Sequence, residues 1–232
     1  YFSDGIIASH IEDLLDERSD IIYVSSAGNS EDQHFQGDYY SYYRSDLDGY
    51  FNDFSMGTND DWKSLYVRIP VGATITIVLQ WNEPFDDNSY SYSDYDLYLY
   101  NYLGGYPLTY SNDDQTSSKE PIEACTYKNT TSQEIYGEIL VEKYSGNDRT
   151  LELFSLGSGA GLFSDNLTSG DSIFGHPAVQ KVVACGAVDA DIPDEIEYYS
   201  STGPVTLIGE TRNKPDIVGI DGVNVSGAGG FS

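Results

Sequence analysis

The spacing of apolar residues changes character twice along the chain. Ile6, Ile7, His10, Ile11, Leu14 and Leu15 recur at helical intervals, with Glu12, Asp13, Asp16 and Glu17 on the other side. Arg18 stands near the end of this helix, where a positive charge suits the dipole. After the polar link Ser19-Asp20, the run IIYVS predicts a buried strand over residues 21–25. A helix feeding an apolar strand is half of a βαβ unit, as in a parallel sheet with helix-covered faces.

From residue 34 the period drops to two. In TITIVLQW, Ile75, Ile77, Leu79 and Trp81 alternate with Thr74, Thr76, Val78 and Gln80. In DYDLYLYNY, Tyr95, Leu97 and Leu99 oppose Asp96, Tyr98 and Tyr100. Ile135, Ile139 and Val141 share a face, and Leu151 and Leu153 repeat the pattern. Turn clusters over residues 82–88, 103–107, 111–118 and 145–148 separate these runs. Short alternating strands with polar turns predict a β-sandwich. From residue 162 the first style returns: VQKVVACGAV is an apolar strand, and KPDIVGIDGVNV holds a short strand and an Asp221-Gly222 turn. The expected architecture is an α/β portion over residues 1–33 and 162–232, interrupted by an all-β domain over 34–161.

Composition narrows the function. Eleven Lys and Arg face 38 Asp and Glu, a formal net charge of -27, which repels nucleic acid and anionic membranes. No apolar run reaches transmembrane length, so no membrane insertion is expected. Such acidity suits a secreted or cell-surface protein, a salt-rich milieu or calcium binding. Two cysteines, Cys125 and Cys185, form neither a disulfide framework nor a metal-ligand spacing, and Cys185 reads as a small buried hydrophobe.

The stretch SSAGN, residues 25–29, poses a chemical question. An Asn just past a buried strand donates a hydrogen bond without a proton to lose, which suits it to stabilising an oxyanion. Gly-Asn is also simply a good turn. Three further segments follow in order: VVACGAVDA, then Tyr199-Ser200-Ser201-Thr202-Gly203-Pro204, then Lys214-Pro215-Asp216-Ile217-Val218 continued by Gly222-Val223-Asn224-Val225. With SSAGN, this series resembles the subtilisin-like serine proteases, over under half of the chain. The segment from Gly5-Ile6-Ile7-Ala8 is similar too.

The resemblance implies an α/β subtilisin-like parallel-sheet portion, incomplete here, and peptide hydrolysis by a serine endopeptidase. It makes Asn29 the oxyanion-hole donor and makes Ser26, Ala27 and Gly28 the strand lining the substrate pocket. Gly175-His176-Pro177 falls near the second pocket wall. The family's catalytic Asp and His would precede Tyr1, and none of His10, His34 and His176 stands in the family's His-Gly-Thr context. The serine nucleophile would follow the run Gly229-Gly230-Phe231-Ser232, and Ser232 is not that serine. Gly219-Ile220-Asp221-Gly222 replaces the usual Ala-Pro-Gly. A fragment with an oxyanion donor and no triad is expected to be inactive alone. With its sheet left incomplete, it is expected to lean on the sandwich or to self-associate.

The inserted stretch resembles the pre-peptidase C-terminal domain, a jelly-roll-like β-sandwich. The residues concerned are Trp62, Leu65, Val67, Ile69-Pro70 and Gly72, then Tyr95-Asp96-Leu97-Tyr98-Leu99-Tyr100, then Tyr136-Gly137-Glu138-Ile139-Leu140-Val141. Among 21 tyrosines, Tyr39, Tyr40, Tyr42 and Tyr43 cluster, as do Tyr90, Tyr92, Tyr98, Tyr100 and Tyr102. Facing solvent, they could grip a protein or polysaccharide, and such a non-catalytic binding module is the rival reading. Packing on the pleated sheet is the plainer use. The partner expected of the protease is a protein or peptide substrate. No cofactor is required. Asp86, Asp87, Asp94 and Asp96, and separately Asp113, Asp114, Glu120 and Glu123, are candidate ligands for a structural calcium. Asn129, Asn166 and Asn224 begin glycosylation-acceptor triplets.

Overall fold

The computed structural model describes residues 2–58 and 62–223. In chain order its elements are the helix α1 (Ile6–Glu17), the strands β1 (Val24–Ser26), β2 (His34–Asp38), β3 (Ser41–Arg44), β4 (Gly49–Asn52), β5 (Leu65–Ile69), β6 (Thr74–Trp81), β7 (Asp94–Asn101) and β8 (Tyr106–Ser111), the short helix α2 (Gln115–Ser118), and the strands β9 (Ile122–Lys128), β10 (Ile135–Ser145), β11 (Thr150–Ser158), β12 (Gly161–Leu162), β13 (Val183–Asp189), β14 (Val205–Leu207), β15 (Glu210–Arg212) and β16 (Ile217–Asp221). Two compact units result. One comprises Gln33–Thr168 with the first few residues; the other is Asp4–Asp32 with the residues from Ser169 onward.

The larger unit is a sandwich of two antiparallel sheets, ordered β12-β5-β10-β7-β8 and β2-β11-β6-β9. The period-two pattern builds its core, because alternate side chains leave opposite faces. Ile75, Ile77, Leu79 and Trp81 of β6 are fully buried, as are Leu97 and Leu99 of β7 and Leu151 and Leu153 of β11. They share one core with Leu65, Val67 and Ile69 of β5 and Ile139 and Val141 of β10. Trp81 donates through Nε1 to Glu83 Oε2 at 3.1 Å, so even this largest core side chain has its polar atom satisfied. Glu83 is in turn held by Arg149 Nε at 2.6 Å.

The smaller unit holds a parallel sheet ordered β1-β13-β16. Val24 pairs with Val183, and Cys185 pairs with Ile217. One face of α1 packs Ala8, Ile11 and Leu15 against Val179, Val182 and Tyr23. A hairpin of β14 and β15 completes it.

These observations correct the expected fold class. Strands make up 42% of the described residues and helix 10%, and antiparallel sheets dominate, so this is not an α/β, parallel-sheet subtilisin fold. The physical reason lies in the connections. A parallel sheet covered on both faces needs a crossover helix for each strand pair. Among the described residues only α1 is long enough for that, and apart from one isolated bridge between Thr74 and Gly159 parallel pairing is confined to β1, β13 and β16. The strand predicted over residues 21–25 is reduced to Val24–Ser26, and its apolar residues are not buried: Ile22 is 79% exposed and Val24 53%. Ile6, Ile7 and Leu14 of α1 are likewise exposed.

The cysteines also differ from expectation. Both are free thiols, but Cys125 is the buried one and Cys185 is half-buried. Cys125 lies on β9 in the sandwich core, and burial, with a smaller contribution from Glu123, pushes its thiol up to about 12. Asn129 is fully buried and donates through Nδ2 to Ile69 O at 2.9 Å and Gln133 O at 2.8 Å, so it closes a turn and offers no acceptor for a glycan. Asn166 donates to Trp62 O at 2.6 Å. Asn224 and the run 229–232 lie outside the described residues.

Candidate active-site loop

β1 ends at Ser26, and the chain then turns through Ala27, Gly28 and Asn29. Ala27 N continues the ladder to Cys185 O at 2.8 Å. Gly28 adopts φ 107°, a conformation that disfavours any side chain, and a Cβ there would stand 3.0 Å from Ser201 Oγ. The loop is laced to the Tyr199–Ser201 segment. Ser201 N donates to Gly28 O at 2.9 Å, Ser30 N donates to Ser201 Oγ at 3.0 Å, and Glu31 N donates to Tyr199 O at 3.4 Å. Ser201 is fully buried, so the pin is shielded from water.

This lacing leaves Asn29 exposed, its carboxamide making no hydrogen bond to any described residue. Both amide N–H groups are therefore available to an incoming acceptor. Ser26 is exposed, Gly28 is half-buried and Ala27 is buried. Of the three residues expected to line a pocket, Ala27 can do so only through its backbone. β1 pairs with β13 on one side, and among the described residues its other edge has no strand partner. A free edge of this kind accepts an extended peptide by main-chain hydrogen bonds.

The other two motifs act beneath this loop. Ser200 Oγ accepts from Ala187 N at 3.0 Å, fastening the segment to β13. Thr202 Oγ1 donates to Ser169 O at 2.8 Å. Gly203 lies so close to the Lys214 carbonyl that a Cβ would meet it at 2.3 Å. Lys214 is buried and its Nζ donates to Val182 O and to Asp216 Oδ2, at 2.5 and 2.7 Å. Asp216 Oδ2 accepts from Ala184 N at 2.7 Å, so Lys and Asp two apart tie β16 to the start of β13. Burial works against the Asp216 charge, but the Lys214 ammonium and the Ala184 N–H outweigh it and hold its carboxyl below the usual range. The sequence marks these segments as motifs but not the roles of Ser201, Gly203 and Lys214. The small residues of SSTGP and the two-residue Lys-Asp spacing are the signal that points to them.

The three histidines have structural partners. His10 Nδ1 lies 2.7 Å from Ile6 O one helical turn back, His34 Nδ1 lies 2.8 Å from Thr168 O, and His176 Nδ1 lies 2.6 Å from the Tyr23 hydroxyl. His34 is fully buried beside Glu152 in the sandwich. Pro177 is buried in a single turn after Gly175.

Of the candidate calcium ligands, Asp94 and Asp96 from one group and Asp114 from the other line a single cavity of about 490 Å³. Glu123 instead accepts from Asp113 N at 2.7 Å, Gln115 Nε2 at 2.6 Å and Ser111 Oγ. Asp87 is taken up by Ser89 N at 2.8 Å and Ser89 Oγ at 2.7 Å. No helix among the described residues is long and apolar enough to cross a membrane.

Comparison with protein-family profiles finds no match, and comparison with curated proteins finds none. Among solved structures, the CspB protease of Clostridium perfringens superposes with a TM-score of 0.53 at 13% identity, over 93% of this chain and 44% of that one. At that identity the likeness is one of fold. The chain spans less than half the length of the protease it resembles.

Proposed function

We propose that this chain is part of a secreted or cell-surface serine endopeptidase of subtilisin-like chemistry, in which Asn29 donates to the oxyanion formed at the scissile carbonyl. One observation carries the reading: at the carboxyl end of β1 an exposed carboxamide makes no hydrogen bond to any described residue, on a loop fixed by a buried serine. Preorganised donors act best because they need no reorganisation as charge develops. The edge of β1 without a strand partner among the described residues would let a substrate peptide align, with Ser26 and Gly28 beside it. The protease-like fold of the structural neighbour supports the same direction. Among the described residues the three histidines are taken up by structural partners, so the nucleophile and its base are proposed to come from a longer protein of which this chain would be a part. The test is labelling of that protein by a serine-directed fluorophosphonate together with casein cleavage. Labelling with cleavage supports the reading, and absence of both overturns it.

A second reading, a module that binds protein or polysaccharide, draws on the sandwich surface. Tyr66 packs edge-on to Trp62 at 5.6 Å and to Tyr102 at 5.4 Å, and Phe163 lies 5.8 Å from Tyr136. Trp62, Tyr102, Tyr136 and Phe163 are all exposed, and a cavity of about 300 Å³ opens among Trp62, Tyr66 and Phe163. Flat aromatic faces beside a shallow cavity suit sugar rings and extended chains. Retention of the protein on an insoluble polysaccharide or protein matrix, lost in a Trp62→Ala, Phe163→Ala double variant, would favour it.

A further inference from the structure

The cavity of about 300 Å³ on the sandwich has three aromatic walls and an acidic rim: Trp62, Tyr66 and Phe163, with Ser164 and Asp165 beside them. Trp62 is 56% exposed and Phe163 46%. Through ring contacts they join Tyr102 and Tyr136 in one contiguous patch, and a patch of that kind marks a binding surface. The walls are fixed through the backbone. Asn166 Nδ2 donates to Trp62 O at 2.6 Å, and Phe163 N donates to Tyr66 O at 2.9 Å. Tyr66 stands between Trp62 and Tyr102, edge to face with both, at interplanar angles of 84° and 87°. Rings held in this way lose little freedom when a ligand arrives.

The lining selects the charge of the ligand. Aromatic faces are electron-rich, so an organic cation set among three rings is attracted to each of them. Asp165 adds a full negative charge, being exposed and in no ion pair among the described residues. No described Lys or Arg lines the cavity. The basic residues nearest along the chain are taken, Lys63 by Asp53 at 2.5 Å and Arg68 by Glu134 at 2.7 Å. The same contact recurs within the sandwich, where Lys63 Nζ lies 5.7 Å from the Tyr42 ring centre and Lys143 Nζ 5.3 Å from that of Tyr39. A net charge of -27 draws cations to this surface and repels anionic chains. A neutral sugar ring needs several polar groups around its rim, and among the described residues Ser164 and Asp165 alone supply polar side chains to this cavity. We propose, building on the second reading above, that the cavity holds the basic side chain of a lysine or arginine on a protein partner, its charged end among the three rings and against Asp165.

Choline is the probe, read by NMR through the indole N–H of Trp62, since the chain's other tryptophan, Trp81, is fully buried. Its uncharged carbon isostere neohexanol has the same shape, and methyl glucoside stands for a sugar. In about 0.15 M sodium chloride, where the long-range field is screened, choline should shift the Trp62 resonance saturably, with a dissociation constant on the order of 10⁻³ M. Neohexanol should bind at least about tenfold more weakly, and methyl glucoside should leave the resonance in place. Phe163→Ala and Asp165→Asn should each weaken choline about fivefold or more, whereas Tyr144→Ala leaves it unchanged. The comparison of choline with neohexanol on the unaltered protein decides the matter even if a variant fails to fold: equal affinity, or no choline shift, overturns the proposal. Tighter binding of methyl glucoside overturns it too and leaves the second reading standing in its polysaccharide form. Silence of all three probes, together with loss of retention on the protein and polysaccharide matrices, removes that reading as well.

Discussion

At the scale of single residues, the small polar side chains of the motifs serve as fasteners. Ser201 Oγ satisfies the buried Ser30 N–H, so Ser201→Ala leaves a buried donor without its acceptor. The expected cost is about 1 to 3 kcal/mol in denaturant unfolding. In the protein that carries the chain, turnover should fall as well, because the Asn29 loop loses its pin. Gly203 faces a different constraint. A methyl group there would sit 2.3 Å from the Lys214 carbonyl, and backbone on both sides cannot yield cheaply. Gly203→Ala should therefore destabilise by about 3 kcal/mol or more, or prevent folding, which circular dichroism and solubility would report. Asp216 gives a pH signature. Its carboxyl is lowered in the folded state, so its stabilisation is present above the unfolded value and is lost as pH falls through the folded one. Unfolding free energy should drop below about pH 4, and Lys214→Met should flatten that drop.

At the scale of elements, sequence and structure agree where one period governs burial. The two-residue alternation of Ile75, Ile77, Leu79 and Trp81 placed those side chains inward, and all are fully buried. Trp81→Ala should cost about 3 to 5 kcal/mol, measured by chemical denaturation. The apolar runs around IIYVS and DIVGI were harder to read. A run of apolar residues states that a surface wants covering but not what covers it. Here Ile22, Val24, Val218 and Ile220 stay exposed among the described residues, so a run that reads as buried strand ends as the border of a small sheet. The α/β expectation failed on this point, since it assumed crossover helices that the described residues do not contain. The candidate site was legible in part. Asn29 and its Gly28 stood out as a turn with chemistry, whereas the pin at Ser201 lies 171 positions later and pairs with Ser30 only through the fold. The acidic cavity was half-legible for the same reason: Asp94 and Asp96 are near neighbours in sequence, but Asp114 reaches them only through the β7–β8 pairing and the α2 cap.

At the scale of the whole molecule, a net charge of -27 sets the dominant long-range field. Like charges at that density oppose compaction. Raising ionic strength from about 0.01 M to about 0.15 M shortens the screening length from about 30 Å to about 8 Å, and Tm should rise with it. A Tm indifferent to salt would mean that local pairing, as at Arg44 with Glu138, already neutralises the field. The exposed apolar residues of β1 and β16 set a second expectation, that the isolated chain self-associates at high salt, where repulsion no longer keeps copies apart. Sedimentation velocity at the two ionic strengths would show it, and a monomer in both would count against it.

Asn29 is proposed to end its strand because a developing oxyanion needs its amide. The most direct measurement is peptide turnover by the protein that carries this chain, unaltered and as Asn29→Ala, with equal folding verified by near-ultraviolet circular dichroism. The expected loss is about two to three orders of magnitude, the loss seen when such a donor is removed from a subtilisin. Fluorophosphonate labelling should persist at a reduced rate. Turnover unchanged in the folded variant would contradict it and leave Gly28-Asn29 as a turn held by Ser201 and nothing more.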